Sequence, residues 1–449
     1  MREDWEIVQL GNLADYYNGR AFKPSEWKSK GKGIIRIQNL NNPKAPFNYT
    51  ENLYEERYKI KKGDLLYAWS ASLGVYIWKG EDAWLNQHIF KVVEKPLTVK
   101  LYLFYLLDKI TGELYSKAHG SGMVHVTKGK FDSTLVPLPP LPEQRAIVKK
   151  LETLFSSLDA GVADLKKAQQ QLKIYRQAVL KKAFEGELTN KVRKNGIQEG
   201  WKIVKIVDIV DKDKNALKAG PFGSSLKKEF YTSEGYKIYG QEQVINNNPY
   251  FGNYYVDEQK YNELYSCRVK PNDILISLVG TVGKVLLLPN DCAPGIINPR
   301  LVKITLDLEK YLPLFFKYYF ESAFVKSFYS GETRGTTMDV LNLGIIKTIP
   351  FPLTHLDEQK EVIKQIESRL SVCDAIEQNI AASLEKAEAL RQSILKKAFE
   401  GNLLTAQELA ECKLAEDYEP ASVLLEKIKA EQKQAIKPKK KLKTKPFRQ

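Results

Sequence analysis

Cysteine is scarce and scattered. The 449-residue chain has four, Cys267, Cys292, Cys373 and Cys412, with no C-x-x-C pair among them. That excludes a disulfide framework and a thiolate zinc site, and predicts reduced, buried side chains. Histidine is as sparse: His88, His119, His125 and His355 show no metal-ligand spacing. No apolar run approaches the length of a membrane span. The opening MREDWEIVQL has no signal-peptide pattern, so a cytoplasmic location is expected. No nucleophile–base pair and no Gly-rich cofactor loop after a strand is visible. The reading is a chain with no catalysis, metal or cofactor of its own.

What is present occurs twice. LKKAFEG stands at Leu180–Gly186 and again at Leu395–Gly401, and Glu143–Gln144 returns as Glu358–Gln359. Between them, apolar residues recur every three or four positions. The first copy reads Ile147, Leu151, Leu154, Leu158, Gly161, Leu165, Ala168, Leu172, Tyr175, Val179. The second reads Val362, Ile366, Arg369, Cys373, Ile376, Ile380, Ser383, Ala387, Leu390, Ile394. Both are heptad seams. A helix of about 40 residues is roughly 60 Å long, too long for the core of one compact domain. Two seams most simply bury each other, as an antiparallel coiled coil with an approximate two-fold axis. The pair then acts as a spacer, or simply as a tie between domains.

The flanking regions repeat too, more loosely. Trp201–Ile206 answers Trp5–Leu10, Lys270–Asp273 answers Lys61–Asp64, and Asn298-Pro-Arg300 answers Asn86-Gln-His88. Short strand-like runs separated by Gly turns predict mixed α/β globes, hence an α+β chain. The expected order is a first globe over 1–139, a long helix over 140–188 and a linker over 189–200. A second globe over 201–355 and a second long helix over 356–403 follow. A helical segment over 404–436 and a basic disordered tail over 437–449 end the chain. The helices keep an identical run while the globes keep little beyond turns and apolar rhythm. That predicts two equivalent docking surfaces and two unlike recognition surfaces. The docking residues expected are Lys181, Lys182, Phe184 and Glu185, with Lys396, Lys397, Phe399 and Glu400.

Charge points to a polyanion. Lys+Arg number 69 against 54 Asp+Glu, a net +15. The tail from Lys437 has six lysines, one arginine and no acid, so the globes and helices are basic as well. A merely basic soluble protein reads the same way on charge alone.

Order of parts, the Pro-x-Pro…Glu-Gln start of each helix and LKKAFEG at each end together resemble one family, the specificity subunits of type I restriction–modification systems. The resemblance covers about nine-tenths of the chain; the Lys-rich tail departs from it. It implies two target recognition domains, each reading half of a split site in double-stranded DNA, with the helix pair setting the gap. It implies two modification (methyltransferase) subunits and restriction (ATPase/nuclease) subunits as partners. S-adenosylmethionine, ATP and Mg2+ would then belong to those partners. A self-contained methyltransferase or nuclease, and a coiled-coil adaptor that binds no DNA, are the competing classes.

Two motifs imitate chemistry. Asn247-Asn-Pro-Tyr-Phe251 resembles the Asn-Pro-Pro-Tyr of amino-methyltransferases but lacks its second proline, and reads as a turn. Gly280-Thr-Val-Gly-Lys284 resembles a phosphate loop, but Leu278 stands where glycine is required. DNA contacts are expected from polar loop residues, since Arg suits guanine, Asn and Gln suit adenine, and Lys, Ser and Thr suit phosphate. In the first globe these are Arg36, Gln38, Asn39, Ser70, Ser72, Asn86, Gln87, Thr127 and Lys128. In the second they are Gln241, Gln243, Ser277, Thr281, Lys284, Arg300, Arg334 and Thr336.

Overall fold

The computed structural model describes residues 2, 4–42, 44–70, 72–117, 128–189, 193–194, 197–198, 201–332 and 341–435. It divides into two compact units, Met1–Asp164 with the chain from Ala382 onward, and Leu165–Ala381. The division falls inside each long helix, not at its ends.

In the first unit, Glu6–Gln9 pairs antiparallel with Leu135–Leu138. A four-stranded sheet runs in the order Ala14–Asn18, Ile89–Glu94, Leu65–Ala68, Gly74–Ile77. A second runs Asn48–Thr50, Lys32–Ile35, Ala83–Leu85, Lys59–Ile60, with a parallel pairing at its centre. Strand Leu65–Ala68 is buried on both faces. Successive strand side chains point oppositely, so Leu65 and Tyr67 enter one core while Leu66 and Ala68 enter another. That is why this stretch shows no polar–apolar alternation. Tyr102, Leu103, Leu106 and Leu107 of helix Lys100–Lys117 close the larger core.

The second unit repeats this order. Lys202–Lys205 pairs with Pro350–Leu353. The sheets run Leu217–Ala219, Leu301–Ile304, Ile274–Ser277, Val285–Leu287 and Tyr255–Val256, Tyr236–Tyr239, Gly295–Ile297, Arg268–Val269. Ile274 and Ile276 face one core and Leu275 the other. Two aromatic-rich helices, Pro313–Phe320 and Ala323–Glu332, follow.

The long helices are Leu141–Phe184 and Leu356–Phe399. In the first unit, Ile147, Leu151 and Phe155 share a core with Leu395, Ala398 and Phe399. Asp159 and Arg391 pair at 2.9 Å. In the second unit, Leu180 and Ala183 share a core with Val362, Ile363 and Ile366. Arg176 pairs there with Asp374 and with Glu377, the latter at 3.0 Å. The helix segments are antiparallel in both. The seam is less strict than the heptads predict. Tyr175 and Leu390 are 48% and 51% exposed, because two helices alone bury only a narrow stripe. Gly186 and Gly401, at φ 75° and 82°, end the helices in the left-handed conformation that favours glycine.

The Glu-Gln pair bolts each helix start to its globe. Gln144 Oε1 accepts the Val99 N–H, and its Nε2 donates to the Pro139 and Leu97 carbonyls. Gln359 does the same with Leu312, Thr354 and Lys310. Glu143 accepts the Trp5 indole N–H at 2.8 Å. Beyond the second long helix, Ala406–Lys413 and Ala421–Ala435 pack into the first unit through Cys412, Leu424 and Ile428. Cys267, Cys373 and Cys412 are buried; Cys292 is half-buried, short of the full burial expected. Among the described residues no helix is long and apolar enough to cross a membrane, and no cluster of metal-ligating side chains occurs.

Candidate nucleic-acid interface

Topology gathers most of the described candidate residues at one end of each globe, though not Lys128, whose helix packs by Gly11 at the other end of the sheet. In the first sheet of the first unit, Asn18, Ile89, Ala68 and Gly74 all lie at the same end of their strands. Three loops therefore leave together: the one after Asn18, the one before Ile89 and the 69–73 turn. Helix Ile37–Asn41 joins them, because Ile35 lies beside Leu85 in the parallel pair and the Asn86 N–H donates to the Ile35 carbonyl at 3.1 Å. Asn18 and Gly19 cross the Asn86 backbone so closely that a Cβ on Gly19 would fall 2.1 Å from its carbonyl oxygen.

The second unit rebuilds this frame. Asn298 N–H donates to Tyr239 O at 2.8 Å, and a Cβ on Gly220 would lie 1.9 Å from Asn298 O. Trp69 N–H donates to His88 O at 3.1 Å, and Leu278 N–H to Arg300 O at 2.9 Å. His88 and Arg300 thus hold equivalent positions on equivalent frames.

Several expected contact residues belong to the frame instead. Asn39 is 3% exposed; its Oδ1 accepts the Arg36 N–H, and its Nδ2 donates to the Ala45 and Pro46 carbonyls. Gln243, 2% exposed, accepts the Gly240 N–H and donates to Phe251 O. Ser277 is fully buried; its Oγ donates to Thr281 O and accepts the Lys284 N–H. Ser70 is also buried. These four are corrections. In Asn39, Gln243 and Ser277 the polar side chain satisfies loop backbone that would otherwise be buried unpaired; Ser70 is excluded by its burial alone.

The others point outward. Arg36 lies over the Trp27 ring at 5.5 Å. Gln38 and Gln87 are exposed, while Ser72 and Asn86 are half-buried. Ser72 Oγ accepts from Asn41 Nδ2 at 3.2 Å, which ties the 69–73 turn to the helix. In the second unit, Gln241 Nε2 donates to Val279 O, and its Oε1 accepts from Arg300 at 3.3 Å. Gln241, Arg300 and the 278–284 turn therefore form one cluster. Thr281, Lys284 and Arg300 are exposed. Burial pushes the Glu321 carboxyl up, and the charges of Lys317 and Lys284 work against that. Lys128 is exposed at the start of Lys128–Asp132, near the Asp132 carboxyl. Thr127, Arg334 and Thr336 lie outside the described residues, as does the basic tail.

Both imitation motifs form turns. Asn247, at φ 46°, opens a turn whose carbonyls at Tyr250 and Gly252 accept from Lys237 Nζ. Gly280 and Gly283, at φ 71° and 75°, make the tight 278–284 turn.

Residue reading alone passed over two positions. His88 is one: it adopts φ 76°, rare for a residue with a side chain. Its Nδ1 is buried with no hydrogen-bond partner among the described residues. The match of Asn86-Gln-His88 to Asn298-Pro-Arg300 was the available signal. Phe222, on the loop after Gly220, is the other.

At the helix ends, Lys181 and Lys396 are each 70% exposed and each lies 3.9 Å from its own glutamate, Glu185 or Glu400. Lys182 and Lys397 are exposed as well. Phe184 and Phe399 are corrections to the expected docking set. Phe399 packs on Tyr102 at 5.3 Å, and Phe184 on Phe315 and Tyr319 at 5.2 and 5.0 Å. The repeated run thus has a packing face (Leu, Ala, Phe) and a charged outer face (Lys, Lys, Glu).

Comparison with known proteins follows the same partition. The family model described as the type I restriction modification DNA specificity domain matches residues 2–168 and 198–386. The chain is 28% identical to the type I restriction enzyme EcoBI specificity subunit of Escherichia coli, over 96% of this chain and 93% of that protein. It is 25% identical to the MjaVIII specificity subunit of Methanocaldococcus jannaschii, over 88% and 92%. A solved chain from work on assembly and conformational transition of the type I R-M system superposes with TM-score 0.68 at 20% identity, covering 90% of this chain and 99% of that one. The HsdS subunit of Thermoanaerobacter tengcongensis superposes at 0.50, also at 20% identity, covering 90% and 98%. At that identity the likeness speaks for the fold.

Proposed function

Because the chain belongs to the type I restriction modification DNA specificity family, we propose that it chooses the DNA site for a type I restriction–modification complex and leaves the chemistry to partner subunits. Each globe reads one half of a bipartite target. The observation that carries this is the doubled loop frame: Asn86 and Asn298, Gly19 and Gly220, His88 and Arg300 hold equivalent places, yet the outward side chains differ. One scaffold with two sets of letters is what a split, asymmetric target requires. Arg300 offers a guanidinium for guanine, Gln241 an amide beside it, and Thr281 and Lys284 phosphate contacts.

Modification subunits dock on the outer faces of the two repeated helix ends. Lys181, Lys182 and Glu185 serve one; Lys396, Lys397 and Glu400 serve the other. Equal geometry at the two ends supports two copies of one partner. Those subunits methylate adenine with S-adenosylmethionine, and restriction subunits add ATP- and Mg2+-dependent cleavage. The chain works in the cytoplasm, where its DNA is.

Mapping methylated adenines in cells that make this chain with a methylating partner tests the reading. The expected result is one split sequence, abolished when this chain is deleted. Removing whole turns from one long helix should change the gap between its halves. Methylation that survives deletion of the chain, or an unsplit target, would refute the reading. Purified chain that methylates DNA alone would favour the self-contained enzyme.

A further inference from the structure

Phe222 is 89% exposed, a large aromatic side chain held in water. Its loop is not loose. Pro221 on one side and Leu226 on the other are buried, and the Ser225 N–H donates to Phe222 O at 2.8 Å. Upstream, Ala219 is registered with Val302, and the Gly220 N–H donates to Leu301 O at 2.9 Å. Gly220 lies against Asn298 and Pro299, so the loop springs from the chain next to Arg300, whose guanidinium donates to Gln241. Gly223 follows with open space where a Cβ would be, and Ser224 and Ser225 are exposed.

The first globe handles the corresponding loop differently. After Gly19, Phe22 is half-buried and packs edge-on against Tyr54 at 5.1 Å, with Arg20 5.0 Å from its ring. Arg20 is committed to Glu26 at 2.8 Å. One phenyl ring is folded down and locked; the other is held out on a stem clamped against the Asn298–Pro299 backbone.

We propose that Phe222 is a wedge that inserts between two base pairs of the half-site read by the second globe and unstacks that step. Apolar side chains on rigid supports kink duplexes in this way, and ring–base stacking tolerates any sequence. Gly223 lets the backbone approach, and Ser224 and Ser225 supply hydroxyls for the flanking phosphates. The half-site read by the first globe stays stacked. The proposal rests on the DNA-reading function above.

The test uses the complete chain assembled with its methylating partner and a duplex of the mapped target. 2-Aminopurine replaces, one at a time, bases of the second half-site other than the methylated adenine. With the native chain, fluorescence should rise at one step of that half-site and at none of the first. Phe222→Ala should abolish the rise and weaken cognate binding about tenfold, while Phe222→Trp keeps both. A mismatch placed at that step should restore most of the lost affinity to Phe222→Ala and add little to the native chain. At this exposure the substitution leaves the fold alone, which an unchanged melting curve verifies. Unchanged fluorescence and affinity in Phe222→Ala would overturn the wedge while leaving DNA reading intact. Failure of the native complex to prefer its mapped site would overturn the DNA reading itself.

Discussion

The two globes share a skeleton and differ where they meet solvent. The same strand orders, the same glycine against the same asparagine carbonyl and the same amide–carbonyl pair at 69–88 and 278–300 recur. On that frame the first globe presents His88, Gln87 and a folded-down Phe22; the second presents Arg300, Gln241 and an upright Phe222. The frame is preserved because buried amides and carbonyls must find partners. Outward side chains carry no such obligation, so specificity can change without disturbing the fold.

The helix ends show the same contrast more quietly. Phe399 is 4% exposed, whereas Phe184 is only partly buried. Phe399→Ala should therefore cost more, about 3–5 kcal/mol, with Phe184→Ala at the low end or below it. Denaturant unfolding of both variants measures this. Equal losses would show that the two ends are better matched than their burial suggests.

A smaller effect separates the recognition loops. Arg300→Ala should weaken cognate binding by about 1–3 kcal/mol and relax one position of the second half-site. His88→Ala should relax one position of the first half-site by less, since a single imidazole cannot make a two-pronged contact. Binding across a set of single-base variants reads both. Uniform weakening on all sequences would reassign either residue to phosphate.

Asp159–Arg391 and Arg176–Asp374 are one ion pair written twice, with each partner in the second helix 215 positions beyond its copy in the first. Reversing either pair singly should cost up to about 1 kcal/mol, and reversing both members should restore it. A double-mutant cycle at each pair decides whether the copies are equal.

Smallest is an asymmetry of charge. The first unit ties its C-terminal segment down by Arg145–Asp417, Lys150–Glu408 and Lys413–Asp4 at 2.6, 2.6 and 3.3 Å. At the matching start of the second long helix, Lys360 pairs with Asp357 at 3.4 Å. Hydrogen bonds from Arg145, Lys150 and Lys413 hold the Asp417, Glu408 and Asp4 carboxyls below their ordinary values. Folded values below unfolded ones mean that the stabilisation is complete above the unfolded range near about pH 4. It is lost as pH falls through the folded values. Protection of the 406–435 amides from hydrogen exchange, taken relative to the intrinsic rate at each pH, should fall in acid and in high salt.

Much of this was legible along the chain. Heptad rhythm announced two helices, and the doubled Glu-Gln and LKKAFEG runs marked their ends. Paired turns such as Lys61–Asp64 and Lys270–Asp273 aligned the globes. Rhythm could not say which apolar residue of the helix end packs and which meets a partner. Phe184 and Phe399 look like surface members of a docking run until Tyr102, Phe315 and Tyr319 appear beneath them.

Sequence by itself determined the duplication, the α+β class, the helices and their stops, because local periodicity and glycine conformation act over a few residues. Tertiary structure alone decided that Asn39, Gln243 and Ser277 turn inward to hold loops while Gln87, Arg300 and Phe222 face out. A polar side chain's role depends on whether unpaired backbone lies within its reach. That neighbour comes from strands far away in the chain.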